Sequence, residues 1–287
     1  MLVGIVGSGL FGMIIARRLV DLGHIVYVYS NELPEAGSSP AACLMKPSWF
    51  AGMGRDIYEP SLKLLESQYG LMSVLFKANL IKTEVAWIPP RQILYDSKVQ
   101  RINSTVTAVT DKGHIIIDNR EHGFDVIIVA AGVWTNEILP KEYHVPRLAA
   151  KAGCAYLFPG QIEEPFISVW APYKQIVAFN IDFENIWVGD GTALIPASMT
   201  RERRAKSRLR CAKAIGRDPN EATEICGYRP YVAKASPCYL EEVSQHLWVV
   251  TGGAKNGTIA AGWCAHVIGE RLNAYGTEDT ASEEGRT

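Results

Sequence analysis

The hydrophobic pattern at the amino end of the chain begins with a short apolar run, Leu2 to Val6. Apolar residues then recur at Met13, Ile14, Ile15, Ala16, Leu19 and Val20 with the spacing of one helical face. Between the two lies GSGLFG (Gly7 to Gly12), so the pattern predicts strand, tight turn and helix. Gly23 supplies the stop, and His24 to Tyr29 (HIVYVY) predicts a second strand that completes a βαβ unit. Farther on, Val126 to Ala130 reads as a strand buried on both faces, followed by Ala131, Gly132 and a helix start capped by Thr135 or Asn136. AYLFPG, FISVWAPY, QIVAFNIDF and NIWVGDG, from Ala155 to Gly191, predict successive strands joined by turns. Leu247 to Val250 predicts another buried strand, and TGGAKNGTIAAG (Thr251 to Gly262) opens a helix through Cys264, Val267, Ile268 and Leu272.

Composition narrows the class. The chain has 287 residues, 48% of them hydrophobic, which allows one large or two medium domains with a sizeable core. The 29 basic and 30 acidic residues leave a net charge of −1, which excludes binding of a polyanion through overall charge. Cys43, Cys154, Cys211, Cys226, Cys238 and Cys264 show no CxxC pair or metal-ligand spacing, so reduced thiols are expected, with neither a disulfide framework nor a metal site. No targeting segment or membrane-length apolar run is apparent, and a cytoplasmic protein is expected.

The glycine turn carries the first chemistry. Gly7 permits the tight turn, Gly9 lets a pyrophosphate approach the backbone, and Gly12 lets helix and strand pack closely, while the helix amino terminus attracts anions. Such units usually end their second strand with an acid that holds ribose hydroxyls. This chain has Ser30 there, followed by Asn31 and Glu32.

Three separated motifs, GSGLFG, DVIIVAAGVWTNEI (Asp125 to Ile138) and GYRP (Gly227 to Pro230) with TGGAKNG (Thr251 to Gly257), occur in the order found in FAD-dependent amine oxidoreductases. Over nearly its whole length the chain resembles the D-amino-acid oxidase and glycine oxidase superfamily. The resemblance implies an α/β fold, a Rossmann-like FAD-binding domain with an inserted, mainly antiparallel substrate domain. It assigns residues 1–80, 100–150 and 225–275 to the FAD-binding domain, 81–99 and 151–224 to the substrate domain, and 277–287 to a disordered tail.

It also implies a site around non-covalent FAD. Gly7, Ser8, Gly9, Leu10, Phe11 and Gly12 would hold the pyrophosphate, with Ser30 and Asn31 toward the ribose. Ser38, Ser39, Ala41, Ala42, Cys43 and Leu44 match the small-residue loop beside the flavin. Val106 matches an adenine-side backbone contact, Ala131, Gly132 and Trp134 lie near the cofactor, and Gly253, Lys255, Asn256, Gly257 and Thr258 face the flavin pyrimidine. Arg229 matches the arginine that grips a substrate carboxylate, with Tyr228, Tyr231 and Lys255 as further catalytic candidates. The implied reaction is oxidation of the C–N bond of a glycine-type or other amino-acid amine by hydride transfer to flavin.

The chain departs from the family pattern at Lys234, Ala235 and Ser236, and at Gly253, where many members have histidine. Its substrate domain reads as trimmed. Trp49, Phe50, Tyr58, Trp87 and Tyr95 fall where the pocket wall or the domain interface is expected and read chiefly as core packing, and the isolated histidines read as structural or solvated.

One further segment stands out. TRERRAKSRLRCAKAIGR (Thr200 to Arg217) concentrates Arg201, Arg203, Arg204, Lys206, Arg208, Arg210, Lys213 and Arg217 in one predicted helix with Glu202 as its lone acid. It reads either as a solvated face or as a nucleic-acid footprint beside the pocket through Arg201, Arg203, Arg204, Lys206, Arg208 and Arg210. The alternatives to a small-molecule amine are therefore the same oxidation on an amino-acid group attached to a macromolecule such as a modified DNA base, or a non-catalytic nucleotide-binding protein.

Overall fold

Leu2–Val6 (β1), the apolar run at the amino end, is the centre of a six-stranded sheet in the computed structural model, which describes residues 1–31, 36–38, 40–46, 53–78, 81–171, 174–235 and 237–284. On one side of β1 lie Ile25–Ser30 (β2) and Gln100–Asn103 (β6); on the other lie Val126–Val129 (β10), Leu247–Thr251 (β18) and Tyr239–Ser244 (β17). All pairings are parallel except that of β17 with β18. The continuous apolar sequences of β1, β10 and β18 follow from burial on both faces.

Leu10–Asp21 (α1), Arg55–Tyr69 (α2) and Gly257–Glu284 (α6) cover one face, packing Met13, Ile14, Leu65, Ile259, Cys264 and Ile268 against Val3, Ile5 and Ile128. Pro90–Leu94 (α3) packs on α1. The other face carries a small antiparallel sheet of Ala108–Val109 (β7), His114–Ile117 (β8) and Arg120–Gly123 (β9), whose Ile115 and Ile117 meet Ile127, Val129 and Val249.

A second, nine-stranded sheet comprises Leu44–Met45 (β3), Met72–Ala78 (β4), Ile81–Trp87 (β5), Leu148–Pro159 (β11), Phe166–Ala171 (β12), Lys174–Asn180 (β13), Asn185–Gly189 (β14), Ala193–Leu194 (β15) and Thr223–Val232 (β16). The turns read between Ala155 and Gly191 fall where the chain reverses. Arg201–Ala214 (α5), capped by Thr200 Oγ1 on the Arg203 amide, packs Cys211 and Ala212 onto Cys154, Tyr156 and Phe158 of β11. The α/β architecture with a mainly antiparallel second sheet is the one expected.

Several boundaries move. The strands β3 and β4, expected with residues 1–80 in the parallel layer, pair with β5 in the antiparallel sheet. β16, expected with residues 225–275, pairs along ten residues of β11 instead. Strand partners are chosen by cross-strand side-chain fit, and nearness in sequence does not report that. Residues 277–284, expected as a disordered tail, continue α6, because propagating a helix already nucleated on a buried core is much easier than starting one. Thr135, expected as a cap, is the first residue of Thr135–Ile138 (α4), and its hydroxyl donates to the Gly132 carbonyl.

The expectation of six reduced thiols is also overturned. Cys154 and Cys226 form a disulfide between β11 and β16, while the other four cysteines are free and buried. The two lie 72 residues apart in sequence, yet antiparallel pairing sets them directly opposite with Cα atoms 4.1 Å apart. Cysteine spacing carries no information about strand register. Among the described residues no helix is long and apolar enough to cross a membrane.

Candidate functional site

The carboxyl ends of β1, β2 and β10 face the inner edge of β16, and a cavity of about 560 Å³ lies between them. β1 is the strand from which chain order runs outward in both directions, the position where open α/β sheets form their binding crevice. The volume falls within the range of ligand pockets.

Its floor is the glycine turn. A Cβ on Gly12 would lie 1.8 Å from the Gly7 carbonyl oxygen, and one on Gly7, at φ +111°, would lie 2.4 Å from that of Ala130. Helix and strand therefore approach at a distance that excludes any side chain at these two positions. Gly9 precedes α1 with no side-chain cap, and no acid stands in the first turn. Ser38 Oγ accepts from the Leu10 amide at 2.9 Å, so a residue distant in sequence serves the helix head. A helix terminus with this open approach and no competing carboxylate suits an anionic pyrophosphate.

The expected residues divide. Gly7, Ser8, Gly9, Leu10, Phe11, Ser30, Asn31, Ser38, Val106, Ala131, Gly132, Trp134, Gly253, Gly257, Tyr228 and Arg229 line the cavity. The Gly132 carbonyl accepts from both Thr135 Oγ1 and Thr251 Oγ1, which fixes the loop after β10. Ala41, Ala42, Leu44, Gly12, Asn256 and Thr258 do not line the cavity, nor does Lys255, which is exposed. Cys43 is buried against Thr258; burial pushes its thiol up to about 12, the hydrogen bond with Thr258 opposing the shift. It does not line the cavity. Ser39, Glu32, Trp49, Phe50 and Ser236 lie outside the described residues.

Sequence reasoning missed the far end of the cavity, where Arg101, Ser104, Thr105 and Glu137 join Ser30 and Asn31. Arg101 donates to the Leu94 carbonyl and lies over the Tyr95 ring at 5.4 Å. No motif marks these positions, because β6 and α4 reach the crevice only through the sheet order. Tyr95, one of the aromatics expected at the pocket wall or in the core, lines the cavity and is 68% exposed.

Arg229 forms the opposite wall. It pairs in register with Lys151, and its guanidinium lies across Gly153, where a Cβ would meet Cζ and Nη2 at 3.2 Å. No carboxylate among the described residues pairs with it, and burial lowers its pKa from the ordinary arginine value. A desolvated guanidinium without a counter-ion is a ready receptor for a carboxylate. The chain Ala36 to Ser38 crosses β16 at this point: Ala36 bridges Tyr228, and Gly37 and Gly227 leave no space for side chains between the two backbones. Tyr231 is on the outer edge, with the Lys151 ammonium 4.1 Å from its ring centroid, and does not line the cavity.

The basic helix is elsewhere. Residues alternate faces along a strand. Cys154, Tyr156 and Phe158 of β11 meet α5, whereas Lys151 and Gly153 share the face of Arg229. The helix expected beside the pocket therefore lies across the sheet from it. Arg204 pairs with Glu224 at 2.9 Å, Lys206 with Glu202 at 2.6 Å, and Arg210 donates twice to the fully buried Asp190, so three of the six proposed nucleic-acid contacts carry an ion pair within the fold.

A family model described as DAO, FAD dependent oxidoreductase, matches residues 92–271. Among solved structures the fold is similar to iminodiacetate oxidase from Chelativorans sp. BNC1, at 16% identity with a TM-score of 0.69, covering 93% of this chain and 94% of that one. L-proline dehydrogenase from P. horikoshii has 12% identity, a TM-score of 0.69, and coverage of 94% and 92%. Glycine oxidase from Geobacillus kaustophilus has 14% identity, a TM-score of 0.65, and coverage of 94% of each chain. No curated protein sequence matches the chain.

Proposed function

Because the chain belongs to the DAO family of FAD-dependent oxidoreductases, we propose that it oxidises the C–N bond of an amine that carries a carboxylate. The observation that carries this reading is Arg229: a guanidinium on the cavity wall, desolvated and without a carboxylate partner among the described residues. FAD bound in the crevice supplies the two-electron acceptor for the substrate carbon.

The chain's residues supply binding and orientation. Gly7, Gly9 and the head of α1 hold the pyrophosphate, with Ser38 steadying the turn from above. Gly257 opens α6, a long helix whose amino end borders the cavity and would stabilise negative charge on a flavin held there. Arg229 binds the substrate carboxylate through its planar fork and so orients the carbon attached to the amine. Tyr228, Pro230 and the Ala36 to Ser38 crossing enclose the substrate side against bulk water. Positioning of this kind needs no nucleophile or paired acid and base. Water then hydrolyses the imine product.

Structural neighbours that oxidise glycine, iminodiacetate and proline share this fold and define the first substrate panel. Purified protein is expected to show flavin absorption, to release intact FAD on denaturation, and to lose the oxidised flavin band anaerobically with at least one amino acid of the panel. A colourless protein that FAD does not reconstitute, or a flavin band that no amino acid bleaches, would overturn the proposal.

A further inference from the structure

Among the described residues Glu137 is the one carboxylate that lines the cavity. In a crevice whose floor suits a pyrophosphate, an acid repels the phosphate oxygens and is useful only where the ligand presents hydrogen-bond donors. Glu137 is held in place by its two neighbours in the chain. Asn136 accepts from the Val145 amide at 2.8 Å and donates to the Val145 carbonyl at 3.1 Å, and Ile138 is buried. The short helix α4 is thus pinned on both sides of Glu137, while the carboxylate itself has no hydrogen bond or ion pair among the described residues. An acid fixed in this way at a cavity wall, with its oxygens unused, is prepared for a ligand.

The packing beneath it shows which end of the crevice it serves. α4 packs on β7, and Ile138 shares one buried cluster with Val106 and with Tyr29, the residue before Ser30. Tyr29, Ser30, Val106, Glu137 and Ile138 all line the cavity. The Ser104 amide donates to the Ser30 carbonyl at 3.0 Å, which joins the ends of β2 and β6 at the same place. The end of the second strand is where dinucleotide folds ordinarily carry the acid that receives ribose hydroxyls, and here Ser30 and Asn31 stand in its place without charge. We propose that Glu137 takes that role from α4 and receives the vicinal 2′- and 3′-hydroxyls of the adenosine ribose of FAD. Two carboxylate oxygens match two neighbouring donors, which a single serine hydroxyl does not. The assignment rests on FAD binding and is independent of the amine substrate, so a failure of amine oxidation leaves it standing.

The test uses the full chain as apoprotein and three nucleotides that compete with FAD, with flavin fluorescence reading the displacement. ADP carries the ribose diol beside a pyrophosphate, 2′-deoxy-ADP lacks one hydroxyl, and inosine diphosphate lacks the amino group of the base. The parent is expected to bind ADP about tenfold more tightly than 2′-deoxy-ADP, the effect of one hydrogen bond to a charged group. Glu137→Gln is expected to reduce that ratio to about twofold and to weaken FAD about tenfold. A merely structural role for Glu137 would weaken ADP and 2′-deoxy-ADP together and leave the ratio as it was, so an unchanged ratio overturns the proposal. Equal binding of the two nucleotides by the parent, or no displacement of FAD by ADP, overturns it as well. If Glu137→Gln loses the discrimination between ADP and inosine diphosphate but keeps that between ADP and 2′-deoxy-ADP, the acid serves the base and the ribose assignment fails. Should Glu137→Gln not fold, Glu137→Asp, which withdraws the carboxylate by one methylene, is expected to reduce the same ratio, and an unchanged ratio there overturns the proposal.

Discussion

The guanidinium of Arg229 lies across the backbone of Gly153, the residue two positions along β11 from its own ladder partner. In the proposed function this close approach sets where a carboxylate would be received. It makes Gly153 a positioning residue, since any side chain there meets the guanidinium at 3.2 Å and pushes it out of the wall. Hydrogen bonds to charged groups contribute about 1.5–3 kcal/mol, and each 1.4 kcal/mol is about tenfold in affinity. Gly153→Val is therefore expected to raise KM for an amino-acid substrate by roughly 10- to 100-fold, with a smaller change in kcat and unchanged flavin content. Steady-state kinetics on the loaded enzyme measure this split.

Ser38 links cofactor binding to a loop outside the βαβ unit. Its hydroxyl accepts from the Leu10 amide, and replacing a hydroxyl acceptor at a helix head costs about 1 kcal/mol. Ser38→Ala is expected to weaken FAD about fivefold, read by flavin fluorescence on titration of the apoprotein. An unchanged affinity would show that the turn holds its shape without the bond.

Gly12→Ala should act more severely. The added Cβ would lie 1.8 Å from the Gly7 oxygen, so helix and strand must separate. Overpacking of this kind costs about 1–3 kcal/mol, and the shift falls within the phosphate turn itself. The expected protein is less stable and fails to retain FAD through gel filtration.

The Cys154–Cys226 bridge encloses a loop of about 72 residues, and bridges of this reach stabilise by about 2–4 kcal/mol. The Cys154→Ser, Cys226→Ser double variant should melt several degrees lower, and a reductant should lower the parent's melting temperature without affecting the variant's.

Asp190 gives the stability a pH dependence. Its burial opposes ionisation, but the Thr192 amide and the Arg210 guanidinium outweigh that, so its pKa is lowered. A carboxylate lowered on folding contributes fully above its unfolded pKa, about 3.9, and the contribution is lost as pH falls through the lower native value. Asp190→Asn, which removes the carboxylate that Arg210 bonds, is expected to cost about 3 kcal/mol at pH 7 and progressively less below pH 4. Melting curves from pH 7 to pH 3 on both proteins test the sign.

The local grammar of the phosphate turn was legible in the residues themselves. Gly7 and Gly12 announce a backbone approach that no other residue allows, and the runs Leu2 to Val6, Val126 to Ala130 and Leu247 to Val250 announce strands buried on both sides. GYRP marked Arg229, which lines the cavity. These features are local, so the sequence by itself determined them.

Tertiary structure alone decided what depends on register. It placed Cys154 opposite Cys226 and Lys151 opposite Arg229, brought Arg101 and Glu137 to the far end of the crevice, and moved the basic helix across the sheet from the pocket. The physical reason is the two-residue period of a strand. A one-residue change in pairing reverses every side chain's face, and only the packed sheets choose between the two.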